Sequence, residues 1–332
     1  MSKRNLYYSL DKILSRNKVF NFVVGQRGGG KSFNAKVWCV NQFLKTGKQF
    51  IWIRRYKTEL NYMPTFFDDL KAAGYFPDHK LEVKGRRFYV DGKVAGEYAA
   101  LTQAQILKSS AFPEVDKIVF DEFIPENGYR YISADEPTQF LGICESIFRD
   151  RERTKVLFLA NNISLTNPYF EEFGMVANPD KVFVTGKHAV IEYYKNPEFA
   201  EHKKATPFGS AISDLRFGKY AIDNEVLNDD DTFVMKRSKN CCYVITLRFN
   251  GKKYGFWVDY DNQCLVMSDK IDPDYLTISI TDKDHNVDSF LAKEYKKHPK
   301  VKFIKESYNS GRLFFETPHI KSKFFDLYKY IR

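Results

Sequence analysis

Eight consecutive residues, Gly25-Gln26-Arg27-Gly28-Gly29-Gly30-Lys31-Ser32, fill the pattern G-x-x-x-x-G-K-[ST] with nothing missing, and the chemistry of that pattern is the grip on a nucleoside triphosphate. Glycines at 25, 28, 29 and 30 permit backbone torsions closed to other residues, so successive N–H groups can turn inward and form a concave anion nest. Lys31 adds a point charge for the β and γ phosphates, and the Ser32 hydroxyl is the expected ligand of the magnesium ion that accompanies ATP.

A second set of residues supplies acids. The apolar run Lys117-Ile118-Val119-Phe120 ends in Asp121-Glu122. Asp121 suits the metal side of the site, opposite Ser32, and Glu122 suits a general base that polarises an attacking water. Two acids after an apolar run are also the pattern of a solvated strand end; the intact cradle upstream favours the catalytic reading. A glutamate directly after the magnesium aspartate points to the additional-strand P-loop ATPases rather than to nucleotide kinases.

A third set is basic. Phe148-Arg149-Asp150-Arg151-Glu152-Arg153 carries arginines at alternate positions. An arginine here either reaches a neighbouring subunit's γ-phosphate in trans or complements a helix end while pairing with Glu152. Asn161, at the tip of the following apolar run Lys155 to Ala160, sits beside the acids as a γ-phosphate sensor or serves as an ordinary turn asparagine.

Elements must hold these groups in place. Val19 to Val24 is a β-branched and aromatic run that reads as a buried parallel strand feeding the loop. Phe33, Val37, Val40 and Leu44 recur at helical spacing with Gly47 as the stop, so the loop opens a helix whose N-terminal dipole favours anions. Gln49 to Ile53 is a second strand, ended by Arg54-Arg55-Tyr56-Lys57 at the edge where an α/β sheet carries its ligands. Leu81 to Tyr98 alternates with breaks at Lys84-Gly85 and Asp91-Gly92, an antiparallel meander inserted in the α/β core; its Lys84, Arg86 and Arg87 face either a polyanion or solvent.

The chain has 332 residues, a formal charge of +10 and a sequence pI near 9.1, a balance that attracts polyanions, nucleic acid first among them. No run of about 18 apolar residues suggests a membrane span and no signal-peptide core follows the N-terminus, so a soluble, cytosolic protein is expected. The five cysteines form no C-x-x-C pair and read as reduced thiols.

Several of these segments together resemble a known family. The phosphate loop with its internal Arg27, Ile53-Arg54-Arg55-Tyr56-Lys57, Val83-Lys84-Gly85-Arg86-Arg87-Phe88-Tyr89, Ile118 to Ile124, Phe148 to Arg153 and Asn167-Pro168-Tyr169-Phe170 are similar to segments of the DNA-packaging ATPases of small tailed phages, the phi-29-like podophages. The likeness is dense from about residue 20 to 170 and thinner beyond. It implies an ATP-driven translocase that pumps double-stranded DNA into an empty capsid, as a homopentameric ring on the portal vertex with a packaging RNA, in the host cytoplasm. It also implies that Arg149 acts in trans, Arg27 lies near the phosphates, Asn161 couples the site to movement and Lys57 faces the DNA channel. Asp150 stands where the family pattern has an amide, which leaves Arg149 and Arg151 both in play.

The fold expected is α/β: an additional-strand P-loop ATPase domain over residues 1–195 with a mostly parallel central sheet and inserted hairpins, a helical linker over 196–231, and a smaller α+β domain over 232–332. Helices in the linker are expected near Ala211 to Leu215 or Ala221 to Leu227. The third part opens on a hairpin, Cys241 to Phe249, Asn250-Gly251 and Tyr254 to Val258, with a third strand at Gln263 to Met267. Its tail alternates Lys293, Lys296, Lys297, Lys300 and Lys302 with aromatics, which fits either nucleic-acid contact or a solvated helix face. Arg54, Arg55, Lys57, Lys296 and Lys297 are the nucleic-acid candidates. Packaging ATPases of other phages carry a nuclease here, and Asp259, Asp261 and Asp269 are the acids it would need; the resemblance implies instead a degenerate ribonuclease-H-like domain.

Overall fold

The computed structural model describes residues 6–108, 111–126, 131–133, 135–164, 167–175, 178, 181–225, 233–295 and 297–331. The chain divides into two compact units, Met1–Asn228 and Asp229–Arg332.

The first unit is built on a nine-stranded sheet in the order β3-β4-β5-β2-β6-β7-β1-β9-β8. The strands are β1 (Phe20–Gly25), β2 (Gln49–Arg54), β3 (Leu81–Lys84), β4 (Arg87–Val90), β5 (Lys93–Ala100), β6 (Val115–Asp121), β7 (Lys155–Asn161), β8 (Phe183–Thr185) and β9 (Ala189–Tyr194). From β5 to β9 every neighbouring pair is parallel, while β3-β4, β4-β5 and β8-β9 are antiparallel. The meander thus extends one edge of the sheet. One strand, β7, separates the loop strand β1 from the acid strand β6, which is the additional-strand arrangement the Asp121-Glu122 pair implied.

Strand side chains alternate between two apolar layers, as the pleat requires. Phe22, Val24, Ile51, Ile53, Ile118, Phe120, Phe158 and Ala160 face one layer, covered by α5 (Glu136–Phe148) and α6 (Pro168–Glu172). Val23, Phe50, Trp52, Val119, Leu157 and Leu159 face the other, covered by α1 (Asp11–Leu14), α2 (Lys31–Thr46) and α3 (Asp68–Ala72); α4 (Ala104–Lys108) follows β5. Helix α2 ends on Gly47 at φ 70°, as expected. Its buried residues include Ala35, Cys39, Val40 and Phe43, with Phe33 and Val37 partly buried against the same core, whereas Leu44 is exposed.

The region expected to be a linker departs most from the sequence reading. Residues 196–225 carry three short helices, α7 (Pro197–Lys204), α8 (Pro207–Ile212) and α9 (Arg216–Ala221), and they belong to the first unit. Pro197 and Pro207 do not break helices; each stands at the first turn behind a capping side chain, Asn196 or Thr206, where the missing N–H costs nothing. The Asp229 to Asp231 boundary lies outside the described residues.

The second unit has a mixed sheet in the order β14-β13-β10-β11-β12-β15, made of β10 (Cys241–Phe249), β11 (Lys252–Asp259), β12 (Cys264–Ser268), β13 (Thr277–Ser279), β14 (Phe290–Leu291) and β15 (Leu313–Phe315). Asn250 and Gly251 both have positive φ, 49° and 75°, the torsions of the tight turn that the Asn-Gly pair predicted between β10 and β11. After α10 (Ala292–Tyr295), helices α11 (Pro299–Asn309) and α12 (Pro318–Ile331) contribute Val301, Ile304, Phe324, Leu327 and Ile331 to the core of this unit.

Candidate nucleotide site

The phosphate loop joins the end of β1 to the start of α2. Gly28 and Gly30 have φ of 76° and 87°, the left-handed region in which a side chain would be strained, so the nest depends on glycine at these two positions. Lys31, in the first turn of α2, is buried and donates to the carbonyls of Gly25 and Gln26 at 3.0 and 2.7 Å and to Asn161 Oδ1 at 3.1 Å. Burial pushes its ammonium down to about 7, against the pull of the Asp121 carboxylate.

Register brings the other groups in. Gly25 pairs with Asn161 across β1 and β7, and Asp121 pairs with Leu159 across β6 and β7. Asn161 therefore stands between loop and acids; its Nδ2 donates to Glu126 Oε1 at 3.0 Å, and Glu126 also pairs with Arg27. Ser32 Oγ donates to Asp121 Oδ1 at 2.9 Å. Serine hydroxyl and carboxylate meeting beside an anion nest form a donor set of hard oxygens, and they fit a magnesium ion bound with a nucleotide.

Glu122 follows Asp121 with φ of 59°, an uncommon torsion for this residue that turns its carboxylate out of the strand direction. Desolvation holds its carboxyl above the ordinary glutamate range; Arg54 opposes the shift, and the carboxylates of Asp121, Glu126 and Glu59 add to it. Arg54 bridges three acids, with Nη1 to Asp121 Oδ2 at 3.1 Å and Nη2 to Glu122 Oε2 at 2.6 Å and Glu59 Oε1 at 3.1 Å. A cavity of about 340 Å³ opens beside Glu122, walled by Arg54, Tyr56, Glu59, Tyr62 and Glu126 among others.

Two expected nucleic-acid contacts are thereby corrected. Arg54 lies inside the acid cluster. Arg55 is 3 % exposed and donates to Glu136 and to the carbonyls of Glu122 and Phe123, so neither offers a free cation to DNA. Lys57 and Lys297 are exposed; Lys296 lies outside the described residues.

Gln26 is also placed differently from a ligand side chain. It is fully buried, with Nε2 donating to the carbonyls of Asn196 and Ile222 at 3.2 and 2.9 Å and Oε1 accepting from Asn196 N at 2.7 Å. Only its backbone faces the nest. Lys203, on α7, donates to the carbonyls of Arg27 and Ala221. The helices after β9 therefore clamp the phosphate loop from outside, a role no local pattern announced. Glu126 was missed for the same reason, since Arg27 and Asn161 reach it only through the fold; Glu59 is local, accepting from Tyr56 N and from Arg54 five residues back.

Arg149 caps α5 with φ of 50° and is exposed. Arg151, by contrast, donates to the carbonyls of Ile147 and Phe112, tying down the helix end. In the second unit Asp259 is fully buried and accepts from Ser238 N and Oγ and from Asn262 N and Nδ2 at 2.6 to 3.0 Å. Its oxygens are spent on a loop, and among the described residues no cluster of three or more His, Cys, Asp or Glu is placed to hold a metal ion. Among the same residues no helix is long and apolar enough to cross a membrane.

Over residues 1–332 the sequence matches the family of the podovirus DNA encapsidation protein (Gp16). It is 36 % identical over 330 residues to the DNA packaging protein of Bacillus phage phi29, covering 99 % of each chain. The fold matches a chain of the bacteriophage phi29 viral genome packaging motor assembly with a TM-score of 0.82 and 36 % identity, over 98 % of this chain and all of that one. It also matches the N-terminal domain of the phi29 DNA packaging ATPase, with a TM-score of 0.54 and 45 % identity over 57 % of this chain and 97 % of that one.

Proposed function

The chain belongs to the podovirus DNA encapsidation protein (Gp16) family, and from that premise we propose that it is an ATP-driven translocase that moves double-stranded DNA into an empty capsid. DNA packaging is its function; hydrolysis as the drive, a pentameric ring at the portal vertex, a packaging RNA partner and action in the host cytoplasm are the finer parts of this reading.

The observation that carries it is the meeting of Ser32 Oγ and Asp121 Oδ1 at 2.9 Å beside the Gly28 to Lys31 nest, with Glu122 next in the chain. The nest and Lys31 would hold the triphosphate, and Ser32 and Asp121 the magnesium ion, which when bound supplies charge neutralisation to the phosphates. Glu122 orients water and accepts its proton, and its raised affinity for that proton suits the task. Asn161, bonded at once to Lys31 and Glu126, reports the state of the phosphate end to the rest of the sheet. Arg149 follows α5 and precedes β7, whereas Asn161 ends that strand. A seven-residue strand separates the two ends of β7 by about 20 Å, which supports a role for Arg149 at a neighbour's site. Exposed Lys57 remains the candidate for the DNA channel.

Glu122→Gln tests the assignment. It should bind ATP as the parent does and turn it over about 10²- to 10⁴-fold more slowly, with DNA packaging into capsids lost; unchanged hydrolysis would overturn the role of Glu122.

A further inference from the structure

We propose that Tyr7, backed by Phe199, is the stacking platform for the nucleobase, a reading that rests on nucleotide binding at the phosphate loop. The segment ahead of β1 folds back onto that loop and is fastened at several points. Tyr8 N donates to Gly29 O at 2.9 Å, and Tyr8 Oη donates to the buried Glu192 carboxylate at 2.7 Å. The Leu6 carbonyl accepts from Asn196 Nδ2 at 3.1 Å and from Tyr194 Oη at 3.4 Å.

With Tyr8 buried at 2 % exposure, its neighbour Tyr7 is left 48 % exposed. A single exposed aromatic ordinarily needs no explanation. This one is held against the nest: a Cβ built on Gly30 would come within 3.2 and 3.3 Å of Tyr7 Cβ and Cδ1. Its ring has a backing, because the Phe199 ring lies 5.8 Å away, tilted by 56°. Phe199 Cζ in turn lies 3.9 Å from the Cβ position of Gly28. The two rings thus flank the loop at its two left-handed glycines.

Sheet order fixes which end of a nucleotide they would meet. The strands run β6-β7-β1-β9. Asp121, Glu122 and Asn161, the groups for the reacting phosphate, are on the β6 and β7 side of the loop. Tyr194 and Asn196, which fasten the Tyr7 segment, are on the β9 side. A triphosphate lying in the nest with its γ end toward Glu122 therefore directs its sugar and base toward β9, where an anchored aromatic face stands ready. Stacking on such a face uses the π surface that every base carries.

The test is equilibrium binding of magnesium ATP and of magnesium tripolyphosphate to the full-length chain, its Tyr7→Ala, Tyr7→Phe and Lys31→Ala variants. Tyr7→Ala should weaken ATP by about tenfold or more, the effect expected of a lost base–aromatic stack. It should leave tripolyphosphate unchanged, and Tyr7→Phe should retain ATP affinity. ATP binding unaltered by Tyr7→Ala, while Lys31→Ala abolishes it, overturns the platform and leaves the phosphate site standing. Equal loss of ATP and tripolyphosphate in Tyr7→Ala also overturns it, since the residue would then be shaping the loop. ATP binding indifferent to Lys31→Ala overturns the nucleotide reading itself and the platform with it.

Discussion

The guanidinium of Arg55 and the carboxylate of Glu136 meet inside the first unit through three hydrogen bonds of 3.0 to 3.2 Å, with side-chain exposures of 4 % and 0 %. Arg55 spends its remaining donors on the carbonyls of Glu122 and Phe123, and Glu136 accepts further from Tyr169 Oη and Ile132 N. One end of this pair holds the left-handed peptide of Glu122. Its other end is the first residue of α5, the helix that Arg149 caps. The pair is thus a buried strut between Glu122 and the helix that ends at Arg149.

Removing one partner of such a pair leaves an uncompensated buried charge and costs about 3–5 kcal/mol. Arg55→Ala and Glu136→Ala should each lower the free energy of unfolding by that amount, read from denaturant titration. Arg55→Lys should not rescue, because an ammonium cannot reproduce the planar fork. The apolar double variant Arg55→Met with Glu136→Leu should regain stability without regaining ATP turnover. Full turnover in the double variant would show that the strut does not position Glu122.

Arg54 is the cation that restrains the proton affinity of Glu122. In Arg54→Gln the acids Asp121, Glu122 and Glu59 lose their shared counterion, so the Glu122 carboxyl should rise further above its ordinary range. A general base works deprotonated. The acid limb of the kcat/KM profile should therefore move to higher pH in this variant, with turnover at pH 6 falling more than turnover at pH 8; superimposable profiles would remove Arg54 from this role.

Much of the site was legible in the sequence because it is local. The β1 strand, loop and α2 follow one another along the chain, and each has its own signal: apolar run, glycines, helical spacing. The same holds for the hairpin at Asn250-Gly251. Arg54 and Arg55 misled for the opposite reason. A run of cations reads as a solvated surface until the strands pair, and only then do Asp121, Glu122 and Glu136, some 67 to 81 residues distant, meet it. Gln26 and the 196–225 helices show the same limit, since the clamp these helices form on the phosphate loop spans 170 residues or more.

Asp259 fastens a loop of its own unit through hydrogen bonds from Ser238 and Asn262. Burial would raise its carboxyl, but hydrogen bonds from Ser238 and Asn262 outweigh burial and hold it well below the aspartate range. A group depressed in the fold contributes stability above its unfolded value and loses it as pH falls, here below about pH 4. Asp259→Ala should therefore destabilise the second unit at pH 7 by on the order of 1–3 kcal/mol for the donors left unpaired, an effect that shrinks on acidification. Magnesium- or manganese-dependent nicking of DNA, abolished by Asp259→Asn, would restore the nuclease reading.

Arg149 and Arg151 separate in what their removal should do to a mixed ring. Arg151 is engaged with two backbone carbonyls, so Arg151→Ala loosens the end of α5 and acts within its own subunit. Arg149 is exposed at the same helix end, and among the described residues no hydrogen bond from its side chain ties it down in this way. If it stabilises charge on a neighbour's transferring phosphate, a loss of about 10³- to 10⁵-fold in hydrolysis is the scale set by arginines supplied in trans. Mixed into parent protein, Arg149→Ala should depress packaging faster than in proportion to its fraction, because each such subunit silences a partner as well as its own position in the cycle. Arg151→Ala should dilute activity in simple proportion. A proportional decline for Arg149→Ala would assign that arginine to its own subunit.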